Sequence, residues 1–311
     1  MIKTVTRQLP VWQSPHGRPL PAPGGRTLMM GIINVTPDSF SDGGELPTVQ
    51  TVVERAGEML AAGADVLDVG GESTRPGAVP VGEAEEIDRV LPVLTALRRA
   101  FPAAPISIDT HKAAVAEAAV SAGADILNDV WGFAFGLASA ARHAWAGAVE
   151  RGASLPVLPP SPMARVAATR HCPVILMHNR PDRDYGDFWN DVLLDFKLSL
   201  VLAHDAGVPD SQIWLDPGFG FAKEPRHNLE ILKRLHRIVA LGHPVLLGTS
   251  RKSTIGRVLQ AEVDDRVDGT GATIIWGIQQ GCHMVRVHDV RPMARYVRMA
   301  DAIKRGLAWK E

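Results

Sequence analysis

Residues 62–71 read AGADVLDVGG and residues 122–130 read AGADILNDV. The two stretches are near copies: a helical ending, a glycine, a polar residue, then a short apolar run. Glycine at that place suits a helix C-cap, where the chain turns left-handed. The run after it is apolar at consecutive positions, the pattern of a strand buried on both faces of a parallel sheet. Variants follow at AGVPDSQIWLDPG (206–218), LGHPVLLGTS (241–250) and QGCHMVRVHDV (280–290). With LMMGIIN (28–34), PISID (105–109) and CPVILM (172–177), eight strands can be counted. Amphipathic helices are expected over 49–62, 83–100, 112–122, 188–206, 228–240, 265–280 and 293–306. Eight alternating units predict an α/β fold, a (β/α)8 TIM barrel, as a single domain over 28–311 behind a lead-in of 1–27. An open doubly wound sheet is the rival, but no GxGxxG or GxxxxGK[ST] phosphate loop favours it.

One segment breaks the rhythm. FAFGLASAARHAWAGAVERGASLPVLPPS (133–161) is longer than a βα connection requires and reads as an insertion after strand 4. A helix over 138–151 and a proline-rich loop over 155–161 are expected there, facing solvent.

The 311 residues are 46% hydrophobic, enough for a large core, and carry 33 basic against 34 acidic side chains. That balance leaves no overall field to draw nucleic acid or an anionic membrane, so neither is expected as a partner. Cys172 and Cys282 fit no metal or redox spacing and read as buried thiols in a reducing compartment. The first twenty residues have no apolar targeting core, and no run is long enough to span a bilayer. A cytoplasmic location is expected.

Barrel active sites lie at the C-terminal ends of the strands. The first polar residues after the eight apolar runs are Asn34, Asp68 with Glu72, Asp109, Asn128, His178, Asp216, the SRKS of 250–253, and Arg286 with His288. One such residue is commonly a helix cap. Eight together point to a polar ligand. Asp109, Asn128 and Asp216 supply acceptors and an amide, suited to a flat heterocycle with adjacent N–H groups. Arg251, Lys252, Arg286 and His288, with SRKS at a helix start, suit an anion such as phosphate. The expected ligand therefore has a heteroaromatic end and an anionic end.

These residues carry a resemblance. MGIINVTPDSFSDGG (30–44), LDVGGESTRPG (67–77), SIDT (107–110), ILNDVWG (126–132), ILMHNR (175–180), LDPGFGFAK (215–223), LGTSRKS (247–253) and VRVHDV (285–290) resemble, in order, the dihydropteroate synthase family of pterin-binding barrels. The resemblance implies condensation of 6-hydroxymethyl-7,8-dihydropterin diphosphate with p-aminobenzoate, giving dihydropteroate and pyrophosphate. It implies that Asp109, Asn128, Met177, Asp216 and Lys252 hold the pterin. Asn34, Arg286 and His288 would hold the diphosphate, with Mg2+ bridging its oxygens and Asn34. Phe40, Thr74, Arg75, Pro76, Phe221 and Ser253 would form the p-aminobenzoate pocket. Residues 35–44 would be a loop closing over the diphosphate, which accounts for a lone Phe among Gly and Ser. Catalysis would rest on Arg286, His288 and Mg2+ at the leaving pyrophosphate, Lys252 on the pterin, and Asp42 and Asp109 beside a pterin methylene cation.

Thr254 stands where the resemblance leads one to expect Phe. A methyltetrahydrofolate–corrinoid methyltransferase would share the pterin contacts but needs neither STRPG nor the SRK and RVHDV cations. A non-catalytic pterin-binding paralogue would have lost part of the loop or anion residues, all of which are here. The resemblance also implies a homodimer through late barrel helices such as 265–280.

Overall fold

The computed structural model describes residues 11–36, 48–73 and 79–306. Eight strands form one parallel sheet: β1 Leu28–Asn34, β2 Val66–Gly70, β3 Ile106–Asp109, β4 Ile126–Asp129, β5 Val174–Met177, β6 Ile213–Asp216, β7 Leu246–Leu247 and β8 Met284–Val287. Their order is β6-β5-β4-β3-β2-β1-β8-β7, and a parallel bridge between Leu215 and Val245 joins the two ends. The sheet is a nearly closed (β/α)8 barrel.

The AGAD repeat has a physical basis at both of its parts. Gly63 and Gly123 adopt φ of +106° and +107°, one residue beyond the caps of α1 (Val49–Ala61) and α3 (Ala113–Ser121). Each closes its helix in the same way, Ala64 N donating to Met59 O and Ala124 N to Ala119 O, both at 2.9 Å. The aspartates then pin neighbouring strands. Asp65 accepts from Met29 N at 2.8 Å, and Asp125 accepts from Ile106 N at 3.0 Å and from Arg18 and Arg98. The repeated Asp is therefore a structural residue at the barrel's N-terminal end, remote from the strand ends that carry the chemistry.

Strand period sorts the rest. Side chains two apart point the same way. Leu28, Met30, Val66, Ile126, Ile175, Trp214, Leu246 and Met284 fill the barrel interior with Trp12 of the lead-in, whose ring lies 4.3 Å from that of Trp214. Two positions further along six of these strands stand Asp68, Asn128, Met177, Asp216, Gly248 and Arg286. One barrel interior thus carries an apolar floor and, a single layer above it, a polar ceiling. Residues of the other parity, such as Leu67, Ile108, Leu127, Leu176 and Leu215, pack outward against the helices.

The helices α2 (Glu83–Ala100) and α6 (Phe188–Ala206) run as the sequence predicts. The 228–240 helix is instead two pieces, α7 (Pro225–Lys233) and α8 (His236–Val239). Helices α9 (Ser253–Leu259), α10 (Val267–Gln280) and α11 (Val290–Arg305) complete the ring. After β4 the chain forms α4 (Ser139–Glu150) and then α5 (Pro162–Thr169). The sequence reading passed over α5, yet it packs between α3 and α6, while α4 lies against α6. Eight residues span barely two turns, too short for a clear apolar period, and the start is set by Pro162 and the Ser161 cap. Both cysteines are buried free thiols, and among the described residues no helix is long and apolar enough to cross a membrane.

Candidate active site

The polar ceiling opens into a cavity of about 380 Å³ whose walls include Asn34, Asp109, Phe221, Lys252, Ser253, Arg286 and His288. A narrow slot of about 20 Å³ adjoins it, lined by Asn128, Met177, Asp216 and Phe219, and shares Phe221, Gly248, Lys252 and Arg286 with the cavity. Ten of the residues expected from sequence therefore meet around one continuous space. Phe40, Asp42, Thr74, Arg75 and Pro76 lie outside the described residues.

Arg286 is the hub. Its Nε donates to Asp68 Oδ2 and its Nη2 to Asp109 Oδ2, both at 2.6 Å. Asn128 Nδ2 donates to the same Asp68 oxygen at 3.2 Å. Asp68, fully buried, thus aligns a cation and an amide contributed by two other strands. Sequence reading placed Asp68 at a strand end but gave it no role. The inward parity it shares with Asn128 and Arg286 is the signal that identifies it. Burial opposes the charge of Arg286, yet its two carboxylates hold its pKa above the ordinary arginine value.

One guanidinium serves two carboxylates, so the balance is short of positive charge. Burial pushes the Asp109 carboxyl up to about 7, against the pull of Arg286 and with the repulsion of Asp68. Its Oδ1 is buried without a partner, an acceptor waiting for a donor. Burial likewise lifts Asp216 to about 6, although Gly218 N donates to its Oδ1 at 2.7 Å. Asp109 borders the cavity and Asp216 the slot, so two carboxylates are placed to accept from a donor-bearing ligand.

The anion side is cationic and neutral by turns. Lys252, at the N-cap of α9, holds its ammonium 4.2 Å from the centre of the Phe221 ring. His288 has its Nδ1 3.0 Å from Ser250 Oγ, which also accepts from His288 N at 3.1 Å. Ser250 thus anchors the imidazole from both its backbone and its ring, with either ring tautomer satisfying the Nδ1 contact. Burial, with Arg286 and Arg251 nearby, pushes His288 down to about 3, so it borders the cavity as a neutral imidazole. Arg251 also lines the cavity, its guanidinium gripping Asp289 at the next strand's end through two bonds of 2.9 and 2.6 Å.

His178, another strand-end residue, also turns away from the cavity. It is buried beneath α6, with Nε2 3.1 Å from Asp195 Oδ2 and Nδ1 2.7 Å from Lys223 Nζ. Glu72 lines the cavity but is engaged by Lys112 at 2.7 Å and by Val81 N at 3.0 Å. Thr254 is buried and accepts from Asn228 Nδ2 at 3.0 Å, while Asn228 Oδ1 holds Gly220 N at 2.7 Å. The hydroxyl thus braces the turn before Phe221, which a phenylalanine side chain could not do.

Comparison with known proteins agrees with this geometry. The family model described as pterin binding enzyme matches residues 30–288. The dihydropteroate synthase of Bacillus subtilis is 48% identical over 278 residues, 89% of each chain. That of Clostridium beijerinckii is 46% identical, covering 91% of this chain and 96% of its own. Among solved structures, a Clostridium difficile dihydropteroate synthase in the presence of pteroic acid superposes with a TM-score of 0.80 at 43% identity, over 91% of this chain and 98% of that one. A Xanthomonas albilineans enzyme with 4-aminobenzoic acid gives 0.78 at 37%, over 90% and 94%. A family model over residues 30–288 and near-complete coverage by such relatives make one conclusion: the chain belongs to the pterin-binding enzymes, within the dihydropteroate synthase family.

Proposed function

We infer that the chain is a transferase that joins 6-hydroxymethyl-7,8-dihydropterin diphosphate to p-aminobenzoate, releasing pyrophosphate, as a step of folate biosynthesis. The observation that carries the reading is Arg286, which borders both the slot and the cavity and so can hold a ligand's anionic end while Asp109, tied to it, addresses the heterocycle. Structures of relatives with pteroic acid and with 4-aminobenzoic acid support both substrates.

In this reading Asp109, Asn128 and Asp216 accept and donate along the pterin edge, and Met177 packs on its face. Both carboxylates must be ionised to do so. Lys252 holds the pterin as well, while Arg286 and His288 stabilise the negative charge that builds on pyrophosphate as its C–O bond breaks. The methylene left behind is electron-poor, and Asp109 with Asp42 would stabilise it. The arylamine then attacks from the side walled by Phe221 and Ser253, to which the family resemblance would add Phe40, Thr74, Arg75 and Pro76, all outside the described residues. Aniline nitrogen needs no strong base, because the arylammonium formed on attack is acidic and loses its proton to the departing pyrophosphate or to water.

Mg2+ belongs to this reading as a proposal: it would be held mainly by substrate phosphate oxygens, with the Asn34 amide oxygen at the cavity wall as protein ligand. When bound, it would add electrostatic stabilisation of the leaving group. A homodimer belongs to the same reading, supported by exposed Trp276 on α10 and Met299 and Ile303 on α11, which packs against it. So does a cytoplasmic location, in keeping with two free buried thiols.

The test is pyrophosphate release from the pterin diphosphate with Mg2+, with and without p-aminobenzoate, following dihydropteroate by chromatography. Stoichiometric product, lost in Lys252→Ala and Asp216→Ala, is expected. Pterin binding without product under any condition refutes the synthase reading.

A further inference from the structure

We propose that α4, in the long connection after β4, is a working part of the site, and that Arg142 on it is a positioning residue for the Phe221 wall. The p-aminobenzoate side of this inference rests on the synthase reading. Its geometry does not.

A helix that merely decorates a surface keeps its cations in water, as Arg151 at the end of α4 is exposed. Arg142 is buried instead, and its Nη1 donates to Asp195 Oδ1 on α6 at 2.8 Å. Asp195 also receives Arg180 Nε and His178 Nε2, both at 3.1 Å. Burial pushes the Asp195 carboxyl up, but His178, Arg142 and Arg180 more than offset it and hold it below its ordinary value.

The chain of contacts continues inward. Lys223, at 4% exposure, is pushed down to about 7 by burial against the pull of Asp216 and Asp195, and in its ammonium form it has three protons for three close acceptors. These are His178 Nδ1 at 2.7 Å and the carbonyls of Gly218 and Phe221, each at 3.1 Å. The two carbonyls bracket the turn that carries Phe221, so Lys223 sets that turn's shape. The arrangement works only while His178 is neutral with Nδ1 free to accept. Burial and the Lys223 charge keep it so, pushing His178 down to about 4. Arg142 is needed because an under-compensated Asp195 would draw a second proton onto His178. Nδ1–H would then oppose the Lys223 ammonium, and the Gly218–Phe221 turn would lose its anchor.

The experiment compares Arg142→Met, which keeps length without charge, with Arg142→Lys, which keeps charge. In the full-length enzyme, Arg142→Met should raise KM for p-aminobenzoate about tenfold, with kcat and KM for the pterin diphosphate within about twofold. Arg142→Lys should recover most of the loss. Amide hydrogen exchange across residues 217–222 should quicken in Arg142→Met and not across 267–280. No change in KM or local exchange would overturn the inference, as would faster exchange throughout with all kinetic parameters worsened, which is ordinary destabilisation. If the wild type makes no dihydropteroate, the synthase reading fails, and the exchange comparison alone decides the role of Arg142.

Discussion

Arg286 and Asp68 are 218 residues apart in sequence and 2.6 Å apart in the barrel. Because Asp68 also holds Asn128, it fixes the anion-binding and heterocycle-binding groups relative to one another. Asp68→Asn should fold and lower kcat/KM for the pterin diphosphate by about 100-fold, since misaligned groups lose orientation rather than identity. Asp68→Ala, which leaves Arg286 paired with Asp109 alone and Asn128 Nδ2 without its acceptor, should also cost about 1–3 kcal/mol of stability. Steady-state kinetics and denaturant unfolding check both, and wild-type kinetics in Asp68→Asn would remove Asp68 from the site.

Asp109 and Asp216 make catalysis and stability pull apart with pH. Their folded pKa values are raised by burial, to about 7 and about 6. The folded chain keeps these protons longer than the unfolded one. Their contribution to stability is therefore full at acid pH and lost as pH rises through those values. Binding a donor-bearing heterocycle requires the opposite, ionised form. In the free enzyme kcat/KM should climb through pH 6–7 and level off above it. Asp216→Asn should abolish turnover yet stabilise the ligand-free protein at pH 8, by on the order of 3 kcal/mol. A pH–rate profile and thermal melts at two pH values test this.

Gly218 is irreplaceable for a steric reason. Its φ is +64°, and a Cβ built there would lie 2.0 Å from the carbonyl oxygen of His178. Gly218→Ala should cost more than about 3 kcal/mol and lose the bond to Asp216. A melting temperature within a degree of wild type would contradict the packing described.

Trp12 provides the contrast. Its ring closes the barrel floor, 2% exposed, packed on the apolar layer and Trp214 and not on the cationic layer above. Trp12→Ala should cost about 3–5 kcal/mol and leave KM for both substrates unchanged. Altered KM would mean that floor and site are coupled.

Much of this protein can be read without coordinates. The eight strands, the glycine-capped helices and the polar residue after each strand follow from periods of 2 and 3.6 and from the left-handed cap, all local properties of the chain. In ILND, strand alternation even decides that Asn128 faces the ligand, while Asp129 turns out to accept from Trp131 N and Phe133 N at 2.9 and 2.8 Å. The short α5 was hidden because two turns leave too few positions to show a period.

What the sequence could not assign is how strand-end charges share partners. Arg251 and Arg286 are both arginines beside a site, yet one is bound to Asp289 and the other bridges Asp68 and Asp109. His178 and His288 both follow strands, yet one is turned to Asp195 and the other to the cavity. Composition and spacing determined the barrel and the kind of ligand, because they depend on neighbours along the chain. Barrel closure alone decided which carboxylate faces which cation, because those pairs join residues separated by tens to hundreds of positions, and their energies depend on burial that exists only once the eight strands have met.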